Sequence, residues 1–143
     1  WIHCFQEVSL IIFFAALSEY NMVLYEERGV NRMKESLKLF HEIVNCVWFR
    51  ETPVVLFLNK SDLFEEKLKE HPLSDYFPDY TGGSDFKQGC EYVKQMFLHL
   101  NQVENRPIYP YITCCTDTKQ VKSLLGSVKD VLLRAALDAS FRT

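Results

Sequence analysis

The chain has 143 residues, of which 48% are hydrophobic, enough for one globular domain with a real core. Its formal charge of −3, with lysines and arginines scattered, offers no basic stripe to track a phosphate backbone, which argues against a nucleic-acid partner. The longest apolar run, residues 8–17, is about half of a membrane span, nothing at the start resembles a signal peptide, and five cysteines (Cys4, Cys46, Cys90, Cys114 and Cys115) without C-x-x-C spacing fit a reducing, cytosolic compartment.

Residues 8–17 and 53–59 are short, nearly unbroken apolar runs, the pattern of strands covered on both faces of a parallel sheet. Between them Met33, Leu37, Phe40, Val44 and Val47 recur at helical steps and predict a helix packed on that sheet. The first strand, through Ile11, Ile12, Phe13 and Phe14, needs a neighbour on each side, and the chain supplies only one. With a start at Trp1 rather than Met, this leads to the expectation of a fragment lacking upstream sequence. A second stripe, Phe86, Cys90, Val93, Phe97 and Leu100, follows the turn-rich residues 72–83 from a Ser84 cap. A third strand, residues 108–113, holds Pro110, which cannot donate to a ladder and belongs at a sheet edge. A last helix from about Asp117 carries Val121, Leu124, Val128, Val131 and Leu132 on one face, with Gly126 costing about 1 kcal/mol of helix propensity. Strands alternating with helices make the chain α/β, with three parallel strands and no repeats or linkers.

Asn59, Lys60 and Asp62, in the string N-K-S-D, stand where an apolar strand ends and a helix begins, the place where open α/β sheets bind ligands. Guanine presents two adjacent donors, N1–H and the 2-amino group, which one carboxylate accepts together, a role open to Asp62. Adenine has an acceptor at N1 and would leave that carboxylate unpaired. Lys60 can lay its methylene stem over the base with its ammonium in water, and Asn59 can tie neighbouring loops and reach the base edge. The bland alternative is a polar loop capping a helix. A second loop, Thr113, Cys114, Cys115 and Thr116, lies between the third strand and the last helix, where backbone N–H groups point outward and one could donate to guanine O6. Taken alone, its cysteines could equally be packing residues.

Together these strings resemble the heterotrimeric G-protein alpha subunits, and the resemblance covers the whole chain. It includes Trp1-Ile2-His3-Cys4-Phe5, the run from Ile11 to Ser18 with Tyr20, Asn31-Arg32-Met33 with Glu35-Ser36, Trp48-Phe49, Phe57-Leu58-Asn59-Lys60, Asp62-Leu63-Phe64-Glu65-Glu66 and Thr116-Asp117-Thr118. Tyr76-Phe77-Pro78-Asp79-Tyr80 is most similar to fungal members. The resemblance implies the C-terminal part, residues 1–143, of a Ras-like GTPase domain, a partial P-loop NTPase fold whose N-terminal half and helical domain are missing. It implies GTP or GDP as ligand, Asn59, Lys60, Asp62, Cys114, Cys115 and Thr116 around the base, and the N–H of Cys115 on O6, although the family usually has Ala there. Trp1 and Phe5 are implied to face the beta-gamma dimer and Trp48 and Phe49 an effector, with burial or a core-edge aromatic pair as the alternatives. Leu137, Phe141, Arg142 and Thr143 are implied to meet a G-protein-coupled receptor. A cytoplasmic location at the inner face of the plasma membrane follows from resemblance alone.

No Gly-Lys pair occurs anywhere, so the chain holds no phosphate loop. The family's Mg2+ ligands and catalytic Arg and Gln lie upstream, so no catalytic residue is placed here, and the fragment alone is expected to be inactive as a GTPase. Asp79-Tyr80-Thr81-Gly82 matches D-x-x-G but follows N-K-S-D instead of preceding it, and is rejected. His3, His41, His71 and His99 have no partner at metal spacing, so no metal site is expected. Three functions stay open: part of a signalling GTPase, a truncated non-catalytic interaction module of the same fold, and another α/β nucleotide-binding protein with a chance N-K-x-D.

Overall fold

The computed structural model describes residues 8–114 and 118–141. Three parallel strands form one sheet: β1 (Ile11–Ala16), β2 (Val54–Asn59) and β3 (Ile108–Ile112), in the order β1-β2-β3. Each connection carries helix: α1 (Arg32–Val44) between β1 and β2, then α2 (Ser61–Glu70) and α3 (Phe86–Leu98) between β2 and β3, and α4 (Thr118–Phe141) after β3. The expected α/β order is present, and β3 lies at an edge, where Pro110 required it, opposite Leu56.

β2 is central and apolar along nearly its whole length because both of its faces are covered. Val54, Leu56 and Leu58 enter the main core with Phe13 and Ala15 of β1, Phe40 and Val44 of α1, Phe64 and Leu68 of α2, and Val93 and Phe97 of α3. Val55 and Phe57 point the other way and meet Val131 of α4, with Leu124 and Val128 packed alongside.

Four details depart from the sequence reading. β1 is covered on one face only: Ile12 and Phe14 are 44% and 59% exposed, because α4 lies over β2 and β3 and its buried residue, Val131, meets β2. Helix α1 stops before Val47, since Asn45 ends it with its N–H on the His41 carbonyl, and Val47 is exposed in a separate 3-10 turn, Val47–Phe49. The cap of α3 is Asp85 and not Ser84, since Asp85 Oδ1 accepts from the Gln88 N–H at 2.8 Å, and the helix ends at Leu98, short of Leu100. On α4, Leu132 is 41% exposed and off the buried stripe. The start of α1 is set by Asn31, whose Oδ1 accepts from Met33 and Lys34 N–H groups while its Nδ2 donates to the Tyr20 carbonyl.

Candidate functional site

Because the strands are parallel, the loops after β2 and β3 leave the same end of the sheet and meet there. The chain enters α2 through Lys60, whose φ of 57° and ψ of 43° are left-handed. A side chain with a Cβ gives up about 1–2 kcal/mol in that conformation, so neighbouring contacts must enforce it. Those contacts come from the second loop. Ser61 N–H donates to the Thr113 carbonyl at 3.1 Å, and Thr113 N–H donates to the Leu58 carbonyl at 2.9 Å. The Thr113 hydroxyl donates to Asn59 Oδ1 at 3.2 Å, and Thr113 itself is buried. The two loops therefore form one unit.

Asp62 follows in the first turn of α2, facing solvent. A hydrogen bond from the Cys114 side chain, followed by one from the Leu63 backbone, holds its carboxyl below the usual carboxylate range. An exposed, ionised carboxylate thus stands beside the second loop, an acceptor suited to a pair of adjacent donors. The Cys114 N–H is already engaged, donating to Gln120 Oε1 at 2.6 Å, and Gln120 lies in the first turn of α4. That bond connects the loop to the last helix.

Packing behind α2 fixes its position. Phe64 and Leu68 are buried against α3, whose Gly89 comes so close that a Cβ there would stand 3.2 Å from Phe64 Cζ and 3.3 Å from Leu68 Cδ1. Lys67 Nζ donates to the Ser18 carbonyl at 2.8 Å and to Asn21 Oδ1 at 3.0 Å, tying α2 to the segment after β1. Burial lowers the Lys67 pKa, against an opposing attraction from Glu19.

Of the residues singled out in the sequence, Asn59, Lys60, Asp62 and Cys114 are brought together. Cys115 and Thr116 lie outside the described residues, as do Trp1, Phe5, Arg142 and Thr143, and the side chain of Phe141. Trp48 and Phe49 sit at the opposite end of the sheet, before β2, in the 3-10 turn; Trp48 is 44% exposed and Phe49 half-buried. Leu137 is exposed on α4. The clasp by the Thr113 hydroxyl and the tie from Gln120 had no signal of their own beyond their places in the T-C-C-T string and the first turn of the helix. Among the described residues no group of His, Cys, Asp and Glu is arranged to hold a metal ion, and no helix is long and apolar enough to cross a membrane.

Residues 1–132 match the family model described as G-protein alpha subunit. Over 137 residues, 96% of this chain, it is 49% identical to the guanine nucleotide-binding protein alpha-1 subunit of Mycosarcoma maydis, and covers 39% of that protein. It is 47% identical over the same shares to the alpha-1 subunit of Neurospora crassa and to the guanine nucleotide-binding protein subunit alpha of Cryphonectria parasitica. The chain thus spans about two fifths of the length of the curated relatives it matches, 39% in each of these three.

Proposed function

The chain belongs to the family of G-protein alpha subunits, and on that footing we propose that residues 1–143 carry the guanine-recognising, receptor-facing part of a Ras-like GTPase domain. In this reading the whole protein exchanges GDP for GTP, hydrolyses GTP and relays a receptor's signal to an effector, with a beta-gamma dimer as its resting partner, at the inner face of the plasma membrane. Phosphate binding, Mg2+ and the hydrolytic residues belong to the part of the protein that this chain does not cover.

The reading is carried by the joined loops after β2 and β3. The donor set suits guanine: Asp62, ionised and solvent-facing, accepts from N1–H and the 2-amino group together, while adenine would leave it facing an acceptor. Asn59, held by the Thr113 hydroxyl, faces the base edge, and Lys60, fixed in its left-handed conformation, lays its stem on the ring. The donor to O6 is assigned to the N–H of Cys115, as the resemblance implies, and the engagement of the Cys114 N–H by Gln120 is compatible with that. Trp48 and Phe49 are assigned to the effector, Trp1 and Phe5 to the beta-gamma dimer, and Leu137, Phe141, Arg142 and Thr143 to the receptor. When bound, the nucleotide supplies the signal through its terminal phosphate, and this chain supplies base selectivity.

The test uses a full-length chimera in which this chain replaces the matching segment of a relative. Asp62→Asn should shift preference from GDP towards XDP, because xanthine replaces the 2-amino donor by a carbonyl that an amide can donate to. One exchanged hydrogen bond of about 1–3 kcal/mol corresponds to roughly 5-fold to 150-fold in the ratio of affinities. An unaltered preference for GDP in competition binding would remove Asp62 from the base site.

A further inference from the structure

At the end of the sheet remote from the base loops, a buried cation has only main-chain partners among the described residues. Arg106 lies in the connection between α3 and β3 and is 7% exposed. Its Nη2 donates to the Val44 carbonyl at 2.7 Å and to the Phe49 carbonyl, and its Nε donates to the Arg50 carbonyl at 3.3 Å. Nη1 is buried with no hydrogen-bond partner among the described residues. Burial is also the cause that lowers the pKa of this guanidinium.

A buried charge with one nitrogen unsatisfied is a poor device for stability, since desolvation costs more than neutral carbonyls return. What the arrangement does provide is geometry. Val44 is the last residue of α1, and Phe49 and Arg50 close the 3-10 turn, so one planar fork fixes the two ends of the segment that presents Val47 and Trp48. The tie is reciprocal: Asn45 Nδ2 donates to the Leu100 carbonyl at 2.8 Å and Asn45 Oδ1 accepts from the Gln102 N–H at 2.8 Å. The turn so held exposes Val47 by 66% and Trp48 by 44%, and both line a cleft of about 790 Å3 shared with Leu132 and Ala136 of α4.

We propose that Arg106 is a positioning residue for the Trp48 turn: its guanidinium, by gathering the Val44, Phe49 and Arg50 carbonyls, pre-forms the surface that Val47 and Trp48 offer to a protein partner. The assignment of that surface to a partner rests on the function proposed above; the holding of the turn does not. Pre-forming the turn removes the ordering cost that an effector would otherwise meet on binding.

The experiment is amide hydrogen exchange on the full-length chimera, read separately for residues 46–52 and for β2. It needs neither partner nor nucleotide chemistry, so its failure is distinguishable from a failure of the Asp62 test. Arg106→Met keeps an unbranched stem and removes the fork and the charge. Exchange in 46–52, where Phe49 and Thr52 N–H groups are hydrogen-bonded, should rise by about tenfold or more while β2 stays protected and the unfolding midpoint holds or rises. Arg106→Lys, whose ammonium can stand where Nη2 now serves Val44 and Phe49, should restore most of the protection. The proposal is overturned if Arg106→Met leaves 46–52 protected, if exchange rises in the turn and in β2 alike, or if Arg106→Lys is as unprotected as Arg106→Met. A methionine variant that does not fold would overturn it as well, because Arg106 would then serve the sheet and not the turn.

Discussion

Two glycines inside helices make opposite predictions from the same substitution. Replacing a helical Gly by Ala gains about 1 kcal/mol of propensity where nothing else changes. At Gly126 of α4 a Cβ would meet nothing within 4 Å, so Gly126→Ala should realise that gain in full. At Gly89 of α3 the same Cβ would stand 3.2 Å and 3.3 Å from two ring atoms of Phe64 and 3.3 Å from Leu68 Cδ1, tighter than ordinary contact, and both side chains are buried. Overpacking of this kind costs about 1–3 kcal/mol, so Gly89→Ala should come out neutral to about 2 kcal/mol destabilising, leaving the two variants about 1–3 kcal/mol apart. Because Phe64 is two residues beyond Asp62, the push on α2 should also weaken GDP, while Gly126→Ala should leave GDP affinity unchanged. Thermal unfolding and GDP titration of the two chimeras check both statements. If Gly89→Ala stabilised as much as Gly126→Ala, the close approach of α2 and α3 would be wrong, and with it the account of how α2 is fixed.

Cys90, buried in α3, has a thiol pushed up to about 11, chiefly by burial and secondarily by Glu65, so native protein at pH 8 should be alkylated at Cys46 and spared at Cys90, as mass mapping would show. A raised acid binds its proton more tightly in the folded state, so its contribution is complete below its ordinary value of 9.0 and is lost as pH rises through about 11; Cys90→Ala should flatten that part of the stability profile. Inserting several glycines between Leu133 and Arg134 of α4, beyond Val131, should leave unstimulated GDP release nearly unchanged and abolish receptor-stimulated release; stimulation that survives would rule out coupling through a rigid helix.

The legible parts of the sequence were those where one physical requirement acts alone. β2 read correctly because a strand buried on both faces has no polar position to interrupt it, and β3 because Pro110 cannot sit in a central ladder. The place of Asn59, Lys60 and Asp62 at the join of β2 and α2 was legible because an apolar run stops there at a short polar string. Where two candidates compete, sequence did not choose well: Ser84 and Asp85 are both good caps, and only the reach of the Asp85 carboxylate to the Gln88 N–H decides between them. Val47 continues the period of α1, but Asn45 ends that helix by bonding across to the segment after α3, a contact 55 residues away in the chain. Ile12 and Phe14 read as buried because they are apolar, whereas burial depends on what covers them. Arg106 had no signal at all, since an arginine in a polar loop reads as solvated unless the carbonyls it will gather are known.

The last helix is held by fewer contacts than α2. α2 is locked on several sides, by Phe64 and Leu68 in the core and by Lys67 on Ser18 and Asn21, so the part of the site bearing Asp62 has little freedom. α4 is different: among its described residues only Val131 is buried, with Leu124 and Val128 half-covered beside it. Yet its first turn reaches the second loop through Gln120 and the Cys114 N–H, and its far end presents Leu137 to solvent. A helix held along one narrow stripe can slide or turn at a cost well below that of opening the main core. If a partner grips the exposed end and prefers the displaced helix, linkage requires that the ligand of the loops be weakened by the same free energy. On the function proposed above, Asp62 would then stay in place while the second loop moves, so nucleotide exchange would begin at that loop and not at Asp62.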